Sequence, residues 1–143
     1  MHRNPTPVLV VALALIAPDG RICLQRRPAE KMHGNLWEFP GGKVNAGESV
    51  ELALCREIAE ELGVQIEPAD LMPCGFATDA GADGRSGLVI LLHACRQWRG
   101  EPAALEGGMI GWFAPEDLAA RPMPPLDYPL AEQVRKLVAG GVI

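Results

Sequence analysis

Between Ser49 and Gly63 the chain reads SVELALCREIAEELG, with Val50, Leu54, Ile58 and Leu62 recurring at every fourth position. Such a repeat predicts an amphipathic helix, and Ser49 as N-cap and Gly63 as C-terminal stop bound it. A helix with a single apolar stripe has to be laid on a sheet or on other helices. At about 100 degrees per residue, with Leu54 at zero, the stripe centres near about +20 degrees, while Glu61 and Glu57 fall at about −20 and −60. These two acids therefore lie inside and just beside the buried face. They are also four residues apart, a like-charge spacing that costs roughly a few tenths of a kcal/mol when exposed and more when desolvated. A divalent cation held by carboxylate and carbonyl oxygens resolves the conflict economically. For these residues taken alone, a solvated helix face with Arg56 paired to Glu60 is the competing reading.

The rest of the chain supplies a sheet for that helix. Val8 to Ala17 (VLVVALALIA) has the length of an export-signal core, but it flows into the turn Pro18-Asp19-Gly20 and the alternating run Arg21 to Arg27, so a first hairpin accounts for both. Residues 28–35 read as loop, and Leu36 to Phe39 as a short apolar piece stopped by Pro40-Gly41-Gly42. Strands are expected at Met72 to Thr78, Leu88 to Trp98 and Met109 to Phe113, a helical turn at Pro115 to Leu118, and a last helix over Leu130 to Val138. One long helix among paired strands, in 143 residues, predicts a single α/β or α+β layered domain spanning 1–143.

A formal net charge of −5, with no block of Lys and Arg, argues against polymeric nucleic acid and against a membrane surface as partner. A polyanionic ligand would need help from cations. Cys23, Cys55, Cys74 and Cys95 stand far apart with no zinc spacing, which is the usage of reduced thiols in a cytoplasmic protein.

From Gly42 the spacing runs five residues to Glu48, seven to Arg56-Glu57, then Ile58, Glu60-Glu61, Gly63 and Val64. The seven Gly, Glu and Arg positions among these, at ordinary residue usage, give a chance match on the order of one in 10^8. The stretch 42–64 resembles the Nudix box, and the chain resembles the MutT-like members of the Nudix hydrolases. LQRRPAEKMHGNLWEFPGGK at 24–43, WRGEP at 98–102, Glu106 and PMPPLDYPL at 122–130 extend the likeness over nearly the whole chain. The resemblance implies an α/β/α sandwich around a mixed sheet. It also implies a Mg2+ site, with Mn2+ as an alternative ion, built from Glu57, Glu60, Glu61, Glu106 and the backbone carbonyl of Gly41. Glu48, Arg56, Gly42 and Gly63 support that site, with Arg56 suited to hold a carboxylate by its planar donor fork.

The reaction implied is hydrolysis of a nucleoside triphosphate to the monophosphate and pyrophosphate, with Glu57 or Glu106 deprotonating or orienting the attacking water. Lys43 and Arg27 are candidate phosphate contacts, Arg27 being equally readable as a surface charge on a strand. Trp37 and Phe39 could stack on a base or belong to the core. Asp127 matches a position that reads the base in MutT-like enzymes, and it could instead cap the last helix. As a carboxylate it would accept from guanine or from cytosine. The resemblance points to oxidised purines such as 8-oxo-dGTP, with CTP or a modified pyrimidine nucleotide as the alternative, acted on by a monomer or weak homodimer. A nucleotide-sensing domain without catalysis is the reading from another class.

Overall fold

The computed structural model describes residues 6–32 and 34–143, so residue 33 of the expected 28–35 loop lies outside the described residues. The elements are β1 (Val8–Leu15), β2 (Ile22–Arg26), β3 (Trp37–Glu38), β4 (Gly41–Lys43), α1 (Val50–Leu62), β5 (Met72–Asp79), β6 (Leu88–Cys95), β7 (Met109–Phe113) and α2 (Asp127–Ala139), with short 3-10 helices at Pro68–Asp70 and Pro115–Ala120. They form a four-stranded sheet in the order β4-β1-β6-β5 and a three-stranded sheet in the order β3-β2-β7. The larger sheet is mixed: β1 runs parallel to β6 from Val8↔Leu88 to Leu15↔Cys95 and antiparallel to β4.

Because successive side chains leave a strand on opposite faces, β1 feeds two cores at once. Val11, Leu13 and Leu15 join Ala53, Leu54, Ile58 and Leu62 of α1, whereas Ala12, Ala14 and Ile16 join Leu130, Ala131 and Val134 of α2. The result is the expected α/β/α sandwich, with β1 buried on both faces, which is why it reads as an unbroken apolar run rather than an alternation. No helix among the described residues is long and apolar enough to cross a membrane, and all four cysteines are free thiols.

The first hairpin is corrected. Its turn is present, with Ala17 donating to the carbonyl of Arg21 and a single antiparallel bridge at Ile16↔Ile22. Beyond that bridge the strands separate, β1 into the mixed sheet and β2 into the small one, because the faces of β2 are claimed by both cores: Ile22 and Leu24 by one, Cys23 by the other. The last helix begins at Asp127, three residues earlier than expected, since Pro129 sits in the first turn where a missing N–H costs nothing.

Candidate active site

Helix α1 is bounded as expected. Ser49 Oγ accepts from the Leu52 N–H at 3.2 Å, and Gly63 takes a left-handed φ of 72°. Two flanks of the helix hold their acids differently. On one side Arg56 forks onto Glu48 through Nε to Oε2 at 2.7 Å and Nη2 to Oε1 at 3.0 Å, and Nη1 reaches Glu57 at 2.9 Å and Glu60 at 3.4 Å. Nη2 also donates to the backbone carbonyl of Lys43 at 3.1 Å, tying the helix to β4. This fork, with a further bond from the Asn45 N–H, holds the Glu48 carboxyl down at about 2. The Glu57 carboxylate lies against Gly42, where a Cβ would collide with it, so Gly42 is required by close approach.

Glu61 lacks such a cation. Its Oε2 accepts from the Gly41 N–H at 2.8 Å, and Gln25 donates to it from β2. Burial, with added repulsion from Glu57 and Glu106, pushes Glu61 up to about 8 despite these bonds. Glu106 arrives on a loop that docks on the open end of α1: Ala103 and Leu105 donate to the carbonyls of Leu62 and Glu61, both at 3.0 Å. Gly107 and Gly108, at φ 89° and 74°, let that loop press against the backbone of Arg26 and the ring of Pro28.

Two cavities of about 270 Å³ each flank these groups and share Arg27 and Glu38 as a common wall. One is lined by Gln25, Arg26, Lys31, Glu61 and Glu106. The other is lined by Phe39, Gly41, Lys43, Ile90, Asp127 and Leu130. Arg27 does not reach freely into either: its Nε donates to Glu38 at 2.6 Å and its Nη1 to the carbonyl of Met32 at 3.2 Å.

Asp127 is not a helix cap, which corrects that expectation. The N-cap position belongs to Leu126 with no side-chain bond. Asp127 is 6% exposed and accepts from the Phe39 N–H at 3.0 Å across the fold. Burial raises its carboxyl to about 7. Trp37 packs edge-on against Phe113 at 5.2 Å, as part of the small sheet's packing, while Phe39 is buried beside the second cavity.

Of the residues expected from sequence, Glu57, Glu61, Glu106, Gly41 and Gly42 converge at the junction of α1, β4 and the 103–108 loop, while Glu60 stays half exposed at the Arg56 network. Among the described residues no group of three or more His, Cys, Asp or Glu side chains is close enough to hold an ion as they stand. The donor chemistry nonetheless fits a divalent cation: the partly buried carboxylates of Glu57 and Glu61 and the exposed Glu106 repel one another, and no Lys or Arg among the described residues forms an ion pair with Glu61. Gln25, Glu38 and the Gly107-Gly108 pair were not singled out from sequence. The one signal available was an acid, Glu38, embedded between Trp37 and Phe39.

Residues 5–134 match the NUDIX domain family. The chain belongs to the Nudix hydrolases. It is 36% identical to the CTP pyrophosphohydrolase of Escherichia coli (strain K12) over 92% of this chain and 95% of that protein. It is 33% identical to the 8-oxo-dGTP diphosphatase of Haemophilus influenzae, over 89% of this chain and 91% of that one. Among solved structures, the MutT NUDIX hydrolase from Burkholderia pseudomallei superposes with a TM-score of 0.78 at 33% identity, covering 91% of this chain and 99% of that one. Nudix hydrolases generally act with divalent metal ions, and the carboxylates gathered along α1 and the 103–108 loop are oxygen donors of the kind such ions take.

Proposed function

We propose that this Nudix hydrolase cleaves nucleoside triphosphates to the monophosphate and pyrophosphate in the presence of Mg2+ or Mn2+, with a cytosine nucleotide as the preferred substrate. The observation that carries the base preference is Asp127, a buried carboxyl at the wall of the cavity that holds Phe39. With its pKa at about 7, the group is available in both protonation states near neutrality. The neutral acid donates and accepts, which complements N3 and the N4 amino group of cytosine. The ionised form only accepts, which complements the N1–H and N2 amino edge of a guanine. The name and length of the Escherichia coli relative, a CTP pyrophosphohydrolase matched over 95% of its chain, support the first pairing.

In this reading Glu57, Glu60, Glu61, Glu106 and the Gly41 carbonyl would hold the ion, which would supply charge neutralisation and a more acidic water. Glu48 and Arg56 fix the orientation of Glu57, and Gly42 and Gly63 admit the close approaches that bring the acids together. Glu57 or Glu106 takes the proton from the attacking water. Lys43 and Arg27 face the phosphates between the two cavities, and Phe39 and Asp127 receive the base. The protein acts on free nucleotides in the cytoplasm, as a monomer or weak homodimer.

The second reading, hydrolysis of 8-oxo-dGTP, is favoured by the Haemophilus influenzae relative and by the ionised state of Asp127. A pH series of kcat/KM for CTP, dCTP, GTP and 8-oxo-dGTP, from about pH 6 to 8.5, separates the two. CTP is expected to lead at neutral pH, with its advantage over 8-oxo-dGTP shrinking as Asp127 ionises. Asp127→Asn, which donates and accepts at every pH, should abolish that trend. A preference for 8-oxo-dGTP at every pH would overturn the cytosine assignment.

A further inference from the structure

The cavity beside Glu61 and Glu106 contains cations that the arrangement described so far does not use. Arg26 ends β2 and lines that cavity together with Lys31 and Gly107. The ion pairs among the described residues engage Arg27 with Glu38 and Arg56 with Glu48, Glu57 and Glu60, but none includes Arg26 or Lys31. The Nε of Arg26 is buried with no hydrogen-bond partner. An orphaned buried donor is costly, and more so when it carries charge, so such a group usually has a partner that arrives from outside. The guanidinium lies over an aromatic ring, its Cζ 5.9 Å from the centre of the Trp37 ring, and the Arg26 backbone is packed so closely by Gly108 that a Cβ there would collide with the Arg26 carbonyl. A partly buried Arg with free donors, beside an exposed Lys, is an anion receptor.

The position of this receptor indicates which anion it takes. The neighbouring cavity is the one with Phe39 and Asp127, and the wall between them is Arg27 and Glu38. A nucleotide with its base in the second cavity, as proposed above, would have the first cavity, lined by Glu61, Glu106, Arg26 and Lys31, open to its phosphate chain across that wall. We propose that Arg26 and Lys31 form the subsite for the outer phosphates, the pair that leaves as pyrophosphate, and so select triphosphates over diphosphates. This inference rests on the triphosphate reading above.

The probe is inorganic pyrophosphate, titrated calorimetrically into the full chain in Mg2+ buffer, alongside kcat/KM for a nucleoside triphosphate and the matching diphosphate. Arg26→Met keeps an unbranched apolar stem against Trp37 and removes the charge; it is expected to weaken pyrophosphate binding about tenfold and to lower the triphosphate-to-diphosphate ratio by a similar factor. Lys31→Met, at an exposed loop position where folding is not at stake, should give about threefold in both readouts. Pyrophosphate affinity within twofold of wild type in both variants overturns the subsite, as does a wild-type chain that binds no pyrophosphate. Pyrophosphate binding that depends on Arg26 in a protein that hydrolyses no triphosphate would keep the anion site and sink the proposed reaction instead. Triphosphate hydrolysis with an unchanged ratio in both variants would do the reverse.

Discussion

The two flanks of α1 hold carboxylates only four residues apart, yet they treat them in opposite ways. At the Arg56 flank, one guanidinium satisfies Glu48, Glu57 and Glu60 and reaches the Lys43 carbonyl, so the charges are balanced within the protein. At the Glu61 flank, burial and the neighbouring Glu57 and Glu106 push a carboxyl up to about 8, and its partners are a backbone N–H and a neutral amide. An internal cation fixes geometry, and its absence leaves a charge to be met from solution. In the proposed reading the first flank orients acids and the second attracts a cation. Each can be disturbed separately.

The largest effect is expected at the residue that belongs to both flanks. Glu57→Gln removes the charge that Arg56 orients and that repels Glu61, and should lower kcat at least about a hundredfold while the protein still folds. Steady-state kinetics in Mg2+ with a circular dichroism melt checks it. Wild-type turnover in that variant would show that orientation by Arg56 serves structure alone.

Next comes the unbalanced flank. The folded pKa of Glu61, about 8, lies above the ordinary carboxylate value of 4.5, so between those limits the folded state binds more protons than the unfolded chain. Stability of the metal-free protein therefore falls as pH rises from about 4.5 to about 8, by about 4 kcal/mol from this group. Glu61→Gln can still accept from the Gly41 N–H and has nothing to ionise. It should melt higher than wild type near pH 8 without metal, lose most of that pH slope, and gain less from added Mg2+. Thermal melts with and without a chelator decide this, and a variant that melts lower at pH 8 would mean that Glu61 has a structural cation.

These two flanks were unequally legible in the sequence. The Arg56 flank is local: Glu48, Arg56, Glu57 and Glu60 share one helix and its entry loop, so their spacing alone brings them together. Glu61 could be placed near the buried face by its position on the wheel, but its partners could not. Gln25 is on β2 and Gly41 on β4, and their meeting depends on β2 leaving β1 after the Ile16↔Ile22 bridge, where the turn signal at Pro18-Asp19-Gly20 suggested a continued hairpin. Glu38 was overlooked for the same reason, since its bond to Arg27 spans 11 residues across a two-residue strand. Asp127 could be read as cap or as base contact because both readings fit Pro-Leu-Asp; only the 88-residue reach to Phe39 excludes the cap.

A smaller change sharpens the oriented flank. Arg56→Lys keeps the charge and loses the fork, because one ammonium cannot bond Glu48 through two parallel donors while reaching Glu57. A drop of about tenfold in kcat, with KM nearly unchanged, is expected if Arg56 acts by positioning Glu57. An equal rise in KM with kcat intact would instead place Arg56 against substrate.

The smallest effects come from the two helix ends, and they separate stability from function. Ser49→Ala removes the Oγ bond to Leu52 and should cost about 1 kcal/mol. Gly63→Ala should cost a comparable amount, about 1 to 2 kcal/mol, because the left-handed φ of 72° crowds a Cβ against its own backbone. Their consequences for the metal differ, since a Cβ on Gly63 would stand 3.0 Å from Leu105 Cδ1, one residue before Glu106. Ser49 caps the opposite end of α1. Equal losses in melting temperature should therefore accompany unequal metal affinities, with Gly63→Ala weakening Mg2+ activation about threefold and Ser49→Ala leaving it unchanged. If both variants keep wild-type Mg2+ dependence, Leu105 absorbs the added methyl by rotating, and Glu106 is held by the Gly107-Gly108 contact with Arg26 and Pro28 rather than by the end of α1.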